Sequence, residues 1–317
     1  MSGARPHPNS LARFAWLSIG AALVTIALKA AAWFFTGSVG LLSDAMESVV
    51  NLVGAVMALA MLTLAAKPAD ETHAYGHTKA EYFSSGVEGA LILLAAASIG
   101  FASVQRLIEP RPLERIGLGL TVSFAAAVVN LVVALVLRRA GRVHGSITLE
   151  ADADHLLTDV WTSVGVFAGV GLVALTGWQR LDPIIGLAVA FNIILTGVKI
   201  VQKSVLGLMD TALPRAEQDA LRAVLDRYHG ETGVQFHALR TRQSGVRRFV
   251  SMHVLVPGDW TVHRGHELLE HIEADIRDSL PNVSVFTHLE SLDDPASWDD
   301  MTLDRAHGAE SSTREPH

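Results

Sequence analysis

Residues 152–179, DADHLLTDVWTSVGVFAGVGLVALTGWQ, join a cluster of acids and a histidine to an uncharged apolar run. The run itself, residues 160–179, has the roughly 20 apolar residues that a helix needs to cross the hydrocarbon core of a bilayer. Charged groups are costly to place in such a helix, so Asp152, His155 and Asp159 are candidates for function. The stretch therefore predicts a membrane helix that carries a polar site.

Five other stretches in the first two-thirds of the chain are equally apolar. The chain is 50% hydrophobic, and its mean hydropathy is +0.34. Each stretch is long enough, with flanking residues that reach the interface, to cross a bilayer as a helix. Six transmembrane helices are therefore predicted within residues 11–208, after a cytoplasmic segment at residues 1–10. The other five runs are residues 14–43 (with Lys29 as the only charge), 48–66, 89–105, 116–137 and 183–198.

The basic residues of the predicted loops indicate the orientation, because cytoplasmic loops carry an excess of Lys and Arg. We expect both termini in the cytoplasm and the protein in a bacterial-type inner (plasma) membrane. The predicted cytoplasmic side holds Arg5, Arg13, Lys67, Lys79, Arg138, Arg139, Arg142, Lys199 and Lys203, and the other side holds Arg106, Arg111, Arg115 and Arg180.

The last third of the chain is acidic. Residues 208–317 hold 19 Asp and Glu against 11 Lys and Arg, whereas residues 1–207 hold 13 against 14. The net charge of −7 argues against a nucleic acid as partner, since phosphates require a basic surface. No cysteine is present, so any metal site must be built from His, Asp, Glu and Asn, and disulfides and thiolate ligands are excluded.

Periodicity organises residues 209–292 as a small domain. Helices are predicted at residues 213–228 and 262–280, and strands at 236–242, 248–256 and 283–289. The predicted fold is thus a membrane α-helical domain of six helices followed by a small α+β domain of the ferredoxin-like type, with the order αββαβ. Residues 293–317 are polar and acidic, which predicts a disordered tail.

Two pairs of side chains that can bind a metal recur at one spacing. Glu47 and Asn51 lie four residues apart in the second predicted helix, and His155 and Asp159 lie four apart in the fifth. Residues at this spacing share a helix face, about 6 Å apart. Two opposed faces would supply four N and O ligands, a tetrahedral set suited to a divalent metal. The alternative is that the four groups only hydrogen-bond one another between helices; two pairs of equal spacing favour the metal.

Three further acids accompany these pairs. Asp44 and Asp152 each precede the first ligand of a pair by three residues and lie on nearly the same face, where they would support the ligands or form part of the entry path. Glu88, in the third predicted helix, is an intramembrane acid with a candidate role in proton movement.

Histidines outside the predicted helices give two more candidate sites. Asp70, His73 and His77 lie between the second and third helices, where a short helical turn would aim both histidines at one ion; idle, solvent-exposed histidines are the alternative. In the α+β domain, strand alternation places His253 opposite a valine-rich face, and His288 shares a face with Glu290.

These residues lie in motifs that resemble those of the cation diffusion facilitator family of metal-ion/proton antiporters. The similarity extends over nearly all of residues 11–292. Its motifs are GSVGLL at residues 37–42, PADETHAYGHTKAE at 68–81, His155-xxx-Asp159, and HALRTRQSG at 237–245.

The resemblance implies a transporter, not an enzyme: six transmembrane helices, a cytoplasmic domain, a homodimer in membrane lipid, and efflux of divalent cations driven by the proton gradient. It implies a salt bridge from Lys79 to Asp210 that joins the two domains. It also implies a binuclear cytoplasmic zinc site at His237, His253, His266, His288 and Glu290.

The second-helix pair departs from the family's zinc-handling members, which usually place His or Asp, then Asp, where this chain has Glu47 and Asn51. Because Asn is neutral, the set has one carboxylate fewer than Asp/Asp/His/Asp, which makes manganese, iron or cobalt more plausible substrates. Zinc remains the first expectation, since the His-rich cytoplasmic site suits it, with manganese, iron, cobalt and cadmium as alternatives.

Two other classes of function would use the same residues. An intramembrane metalloenzyme would use the ligands to activate water, but no HExxH motif is present, because His266 and His271 are five residues apart and about 140° apart around a helix. Asp44 is its only candidate general base. A metal sensor without transport would need only the soluble histidines and would leave the intramembrane acids unexplained.

Overall fold

A computed structural model describes residues 9–36, 39–109, 116–229 and 233–299. The chain divides between Met209 and Asp210 into two compact units. We call them the helical unit and the α+β unit and describe each by itself.

The described part of the helical unit consists of six long helices, each of 27 to 30 residues. Such a helix is about 40 Å long at 1.5 Å per residue, enough to cross a bilayer. Within the described residues, α1, α3, α4 and α6 contain segments long and apolar enough to span a membrane, and α2 contributes a shorter apolar segment, Asn51–Ala65. The helices are α1 (Asn9–Thr36), α2 (Val39–Ala65), α3 (Ala80–Ile108), α4 (Ile116–His144), α5 (Ile147–Thr176) and α6 (Leu181–Leu208).

Helix α5 occupies a central place in this unit, since it belongs to both buried clusters. One cluster joins α1, α2, α4 and α5, and includes Leu149 and Leu156 of α5; the other joins α3, α5 and α6, and includes Ala151. The helix begins at a defined residue, because the Ser146 side chain caps it by accepting from the Leu149 N–H, and it ends at Gly177 in the left-handed conformation. The acids and the histidine of the opening stretch are thereby placed inside the helix bundle.

Small residues let α3 and α6 pack closely. A Cβ added at Gly89 would lie 2.8 Å from Val201 Cγ2, so only glycine permits this approach. Large apolar side chains such as Phe101 and Phe124 are exposed on the outside of the bundle, as they are where helices face lipid.

The α+β unit has the predicted order αββαβ. Strand β2 lies between its two neighbours, antiparallel to β1 and parallel to β3. Its inward face, which includes Val250, Met252 and Val254, packs in a core with residues of both helices. The elements are α7 (Arg215–His229), β1 (Gln235–Ser244), β2 (Arg247–Val256), α8 (Val262–Ser279) and β3 (Val283–Ser291).

Beyond β3 the chain enters the predicted disordered tail, residues 293–317. A 3₁₀ helix at Pro295–Trp298 follows, capped by the Asp294 side chain, which accepts from the Ala296 N–H at 2.9 Å. The Trp298 indole N–H donates to the Leu292 carbonyl at 3.4 Å. Residues 293–299 thus form a short capped turn with an aromatic side chain packed at its end. Residues 300–317 of the predicted tail lie outside the described residues.

Candidate metal centres

Three of the side chains predicted to bind a metal in the membrane form a connected cluster between helices. His155 Nε2 lies 2.8 Å from Asn51 Oδ1, and Asn51 Nδ2 donates to Asp159 Oδ2 at 2.5 Å. Asn51 and His155 are only 8% and 7% exposed. The faces of α2 and α5 thus meet through these residues, as their spacing predicts. The side chains of Glu47 and Asp44, predicted alongside them, lie outside the described residues.

Asn130 is a fourth member of this cluster, and the sequence did not predict it. This buried side chain on α4 donates through Nδ2 to Asp159 Oδ2 at 2.9 Å. The available signal was a single amide in the middle of the apolar run 116–137, because a polar group at that depth requires a partner.

The hydrogen bonds of the cluster define which atoms donate. Since Asn51 Nδ2 donates to a carboxylate, its Oδ1 faces His155 and can only accept, so His155 Nε2 is the protonated nitrogen. His155 Nδ1 is buried without a hydrogen-bond partner among the described residues. The unprotonated nitrogen of the imidazole therefore keeps a lone pair that a cation can use.

The two other predicted intramembrane acids lie apart from these hydrogen bonds. Asp152 Oδ1 accepts from Ser18 Oγ at 3.0 Å, and Glu88 Oε1 accepts from Ser84 Oγ at 3.4 Å. Another buried acid, Glu81, received no role from the sequence. It accepts a hydrogen bond from Ser146, the residue that caps α5.

Asp70, His73 and His77 converge in the loop between α2 and α3. Ligand atoms of the three residues lie within 4.8 Å of one another. Asp70 Oδ1 lies 3.5 Å from His73 Nδ1, and Asp70 Oδ2 lies 3.4 Å from His77 Nε2. His77 Nδ1 is buried without a partner among the described residues.

The loop is built from turns, so the expected short helical turn is wrong. The Asp70 carboxylate accepts from the backbone N–H groups of Thr72 and His73, and Gly76, with φ of 85°, reverses the chain before His77. These hydrogen bonds, with that from the Thr72 hydroxyl as the largest contribution, lower the pKa of Asp70 to about 2. The carboxylate is therefore ionised at every physiological pH.

The α+β unit brings together His237, His253 and Glu290. Within this group His237 Nε2 lies 2.9 Å from Glu290 Oε2 and 3.2 Å from His253 Nδ1. Ligand atoms of all three lie within 4.8 Å of one another. Sheet register explains the proximity, because His237 pairs with His253 across β1 and β2, and His253 pairs with His288 across β2 and β3.

The two remaining predicted ligands, His288 and His266, are largely exposed. His288 Nε2 is 3.5 Å from Glu290 Oε1, at the edge of the cluster, and its side chain is 66% exposed. His266 lies on α8, where its side chain is also 66% exposed and Nε2 is 4.0 Å from Glu270. Within the chain, His266 is therefore not assembled with the other ligands.

Two features around His237 were missed from the sequence. Strand β1 has a bulge directly after this residue, with Ala238 at a φ of 50°, and the Trp298 ring packs edge-on against the His237 ring at 5.7 Å. A non-glycine residue at positive φ is strained and is common at functional sites. The bulge changes the direction of the strand beside the cluster. No residue pattern in β1 predicts this bulge.

The residues of the predicted inter-domain salt bridge have other contacts in their own units. Lys79 Nζ donates to the Leu208 carbonyl at 3.2 Å, and Asp210 Oδ1 accepts from Arg242 at 3.1 Å. Asp210 has a φ of 57°, directly after the unit boundary. The bridge between Lys79 and Asp210 stays a prediction.

Family comparisons cover both units. Residues 15–209 match the model of the cation efflux transmembrane domain, and residues 213–292 match the model of the cation efflux protein cytoplasmic domain.

Relatives resemble the chain over almost its full length. It is 53% identical to an uncharacterized transporter, sll1263, of Synechocystis over 90% of this chain and 92% of that protein. It is 30% identical to the cation-efflux pump FieF of Klebsiella pneumoniae over 91% and 93%. Among solved structures, the metal-bound C-terminal domain of the CzcD transporter from Thermotoga maritima is 26% identical and covers 26% of this chain and 99% of that one, with a TM-score of 0.24.

Proposed function

The chain belongs to the cation diffusion facilitator family, and from this premise we propose that it exports divalent cations, zinc first among them, in exchange for protons. Members of this family are transporters and not enzymes, so the chain is an integral membrane cation efflux transporter. The proposal adds the residues that bind the ion, the coupling to protons, the six membrane spans, the cytoplasmic termini and a homodimer.

The observation that carries the proposal is the buried cluster of Asn51, His155 and Asp159. It combines an imidazole, a carboxylate and an amide between helices of an apolar bundle, where polar groups are costly and usually functional. We assign ion binding to these residues and Glu47. In alternating access, the ion site would open first to the cytoplasm and then to the other side of the membrane.

Proton coupling follows from the chemistry of these ligands. The imidazole and the carboxylates bind a metal only when the relevant nitrogen and oxygen atoms are free of protons. On the more acidic outer side, protonation would release the ion, and the return of the protonated carrier would bring protons inward. The homodimer would rock between these two states.

The amide of Asn51 bears on which metal is carried. It takes part in the cluster directly, through both Oδ1 and Nδ2, yet it carries no charge. A set of Glu, Asn, His and Asp holds a divalent ion with less compensating charge than a set with three acids, and oxygen ligands suit harder cations. We propose zinc as the main substrate because the His-rich cytoplasmic site suits it, and the neutral Asn51 would loosen selectivity against manganese, iron, cobalt and cadmium.

The cluster in the α+β unit suggests a regulatory metal site. Two imidazoles and a carboxylate with converging ligand atoms suit zinc. Binding there would favour one conformation of the dimer through differential affinity for its states. A sensor without transport is disfavoured, because it would leave the buried cluster of α2, α4 and α5 unused.

The test is metal uptake by the full-length protein in proteoliposomes, with zinc, manganese, iron, cobalt and cadmium compared and internal pH recorded in parallel. We expect zinc uptake with a matching proton flux in the opposite direction. Metal uptake without a pH change in the wild type would contradict antiport.

Selectivity is tested with Asn51→Asp, which adds the missing charge. We expect the ratio of zinc to manganese uptake to rise several-fold. Asn282→Asp makes the same change on an exposed turn and serves as control. Identical uptake by Asn51→Asp and the wild type with every metal would refute the role of this position.

A further inference from the structure

Two buried carboxyl groups of the helical unit have no part in the ion-binding cluster. Glu88 of α3 is 1% exposed and Asp152 of α5 is 3% exposed. Helices α3 and α5 pack against each other, and Ile92, one turn after Glu88, shares a buried cluster with Ala151, the residue before Asp152. The chain thus holds two buried carboxyl groups at one helix interface, where an uncompensated charge is costly.

In each of the two carboxyl groups, one oxygen atom is hydrogen-bonded and the other is not. One oxygen of each is satisfied by a serine: Glu88 Oε1 by Ser84 Oγ, and Asp152 Oδ1 by Ser18 Oγ. The other oxygen of each, Glu88 Oε2 and Asp152 Oδ2, is buried without a partner among the described residues. Since buried polar atoms are nearly always paired, each of these two oxygens calls for a proton or a donor that the described residues do not supply.

The surrounding helices offer no basic side chain to the pair in the part of the chain that the structure describes. The charges that reach Glu88 are those of Asp152 and Asp154, both acidic and both on α5. Helix α6 presents Val201 to α3 beside Gly89, and its Lys203 pairs with Glu150 at 2.5 Å. Helix α1 contributes the neutral Ser18. No ion pair with either carboxyl group occurs among the described residues.

The number of unpaired atoms favours a proton over a metal ion. Both serine hydroxyls already donate to the carboxyl groups, which leaves two oxygen atoms unpaired. A divalent cation takes four or more donors, whereas a proton needs only one of these oxygen atoms.

We propose that Glu88 and Asp152 together bind one proton, at a site separate from the ion-binding cluster of Asn51, His155 and Asp159. Asp152 lies three residues before His155 on α5, so a movement of this helix changes the surroundings of both sites. Coupling of this proton to ion transport rests on the proposed antiport, but the binding of the proton does not.

Proton binding is tested directly by infrared difference spectra of the full-length protein, using Glu88→Gln and Asp152→Asn. At neutral pH we expect the carbonyl band of a protonated carboxyl group in the wild type and its loss or shift in both variants. Glu109→Gln, which removes an exposed carboxyl group at the end of the same helix, should leave the band unchanged. An unchanged band in both test variants, or a band that disappears when Na⁺ or Mn²⁺ is added, would overturn the assignment to a proton.

Coupling is tested in proteoliposomes with the same variants. We expect Glu88→Gln and Asp152→Asn to bind zinc within about twofold of the wild type but to lower the number of protons moved per ion. A tenfold loss of zinc affinity in both variants would identify the pair as metal ligands and overturn the proposal. If the wild type moves no protons while the infrared band behaves as expected, antiport fails and the proton site stands.

Discussion

The metal-ligand clusters of the helical unit and the α+β unit are assembled differently. In the α+β unit, strand register places His237 beside His253 and brings Glu290 within hydrogen-bond distance, so that the ligand atoms converge. In the helical unit, Asn51 and Asn130 reach Asp159 from two other helices and occupy its Oδ2 atom with amide hydrogen bonds. Hydrogen bonds link the residues of both clusters, and those of the helical cluster include two amide groups that donate to one carboxylate oxygen.

The difference has a consequence for binding. A cation entering either cluster replaces hydrogen bonds that the protein already makes. In the helical cluster these include two amide hydrogen bonds to Asp159 Oδ2, so part of the binding energy is offset and release of the ion is aided. The cluster of the α+β unit is preorganised by the sheet, which favours tight binding. A carrier that must release its ion in every cycle benefits from the first arrangement, and a regulatory site benefits from the second.

The largest effect is expected for Asp159→Asn. This change removes the acceptor shared by Asn51 and Asn130 and, in our proposal, a charged ligand. We expect zinc uptake to fall by about 100-fold or more, beyond the 10–100-fold typical of residues that only support a ligand. Asp219→Asn, at an exposed position of α7, is the control. Uptake within twofold of the wild type would remove Asp159 from the ion path.

A smaller effect, on zinc affinity, is expected for His253→Ala. Removing this central imidazole of the converging cluster should weaken one class of zinc sites by about 10–100-fold, measured by calorimetry on the full-length protein. The exposed His229, at the end of α7, provides the matched control, His229→Ala. An unchanged set of zinc affinities in His253→Ala would show that the cluster does not bind zinc.

The loop residues allow a test by pH. Because the pKa of Asp70 is lowered to about 2, its carboxylate stays ionised and its stabilisation of the loop is lost only as pH falls toward that value. Protonation of the imidazoles, in contrast, competes with metal. We therefore expect the charge of Asp70 at the loop site to stay constant between pH 7.5 and pH 6, measured as the zinc affinity of the wild type relative to Asp70→Asn at both pH values.

Asp70→Asn removes this charge and should weaken zinc binding at the loop site by the same factor at pH 7.5 and at pH 6. An affinity ratio between the wild type and Asp70→Asn that differs between the two pH values would contradict a carboxylate that stays ionised over this range.

The smallest effect is expected for Trp298→Ala. The indole packs edge-on against His237 and is anchored to the Leu292 carbonyl. Its loss should loosen His237 and weaken zinc binding at the converging cluster by about two- to fivefold, below the usual range for residues that orient a ligand directly. Trp178→Ala, at an exposed position of the helical unit, is the control. Equal affinities in Trp298→Ala and the wild type would limit this ring to a packing role.

The sequence correctly predicts the features that depend on local periodicity and residue spacing. The four-residue spacing of His155 and Asp159 survives in the structure because α5 is a regular helix, and the alternation in β2 correctly separates His253 from the valine face. Short-range patterns of this kind are translated directly into geometry.

Other features depend on contacts between distant segments, which no local pattern encodes. Asn130 joins the helical cluster only because α4 packs on α5, and Trp298 reaches His237 only because a capped turn folds back after β3. The turn at Gly76, and not a helix, brings His77 to Asp70. Here the tertiary structure overrides the local expectation.

The central claim, that the helical cluster carries the ion and the α+β cluster regulates its transport, is tested most directly by zinc flux through His155→Ala and His253→Ala side by side in proteoliposomes. His144→Ala, at the end of α4, is the matched control. We predict that His155→Ala abolishes zinc flux and the accompanying pH change, whereas His253→Ala retains more than a tenth of the wild-type flux. Wild-type flux in His155→Ala, or equal loss in both variants, would contradict the account.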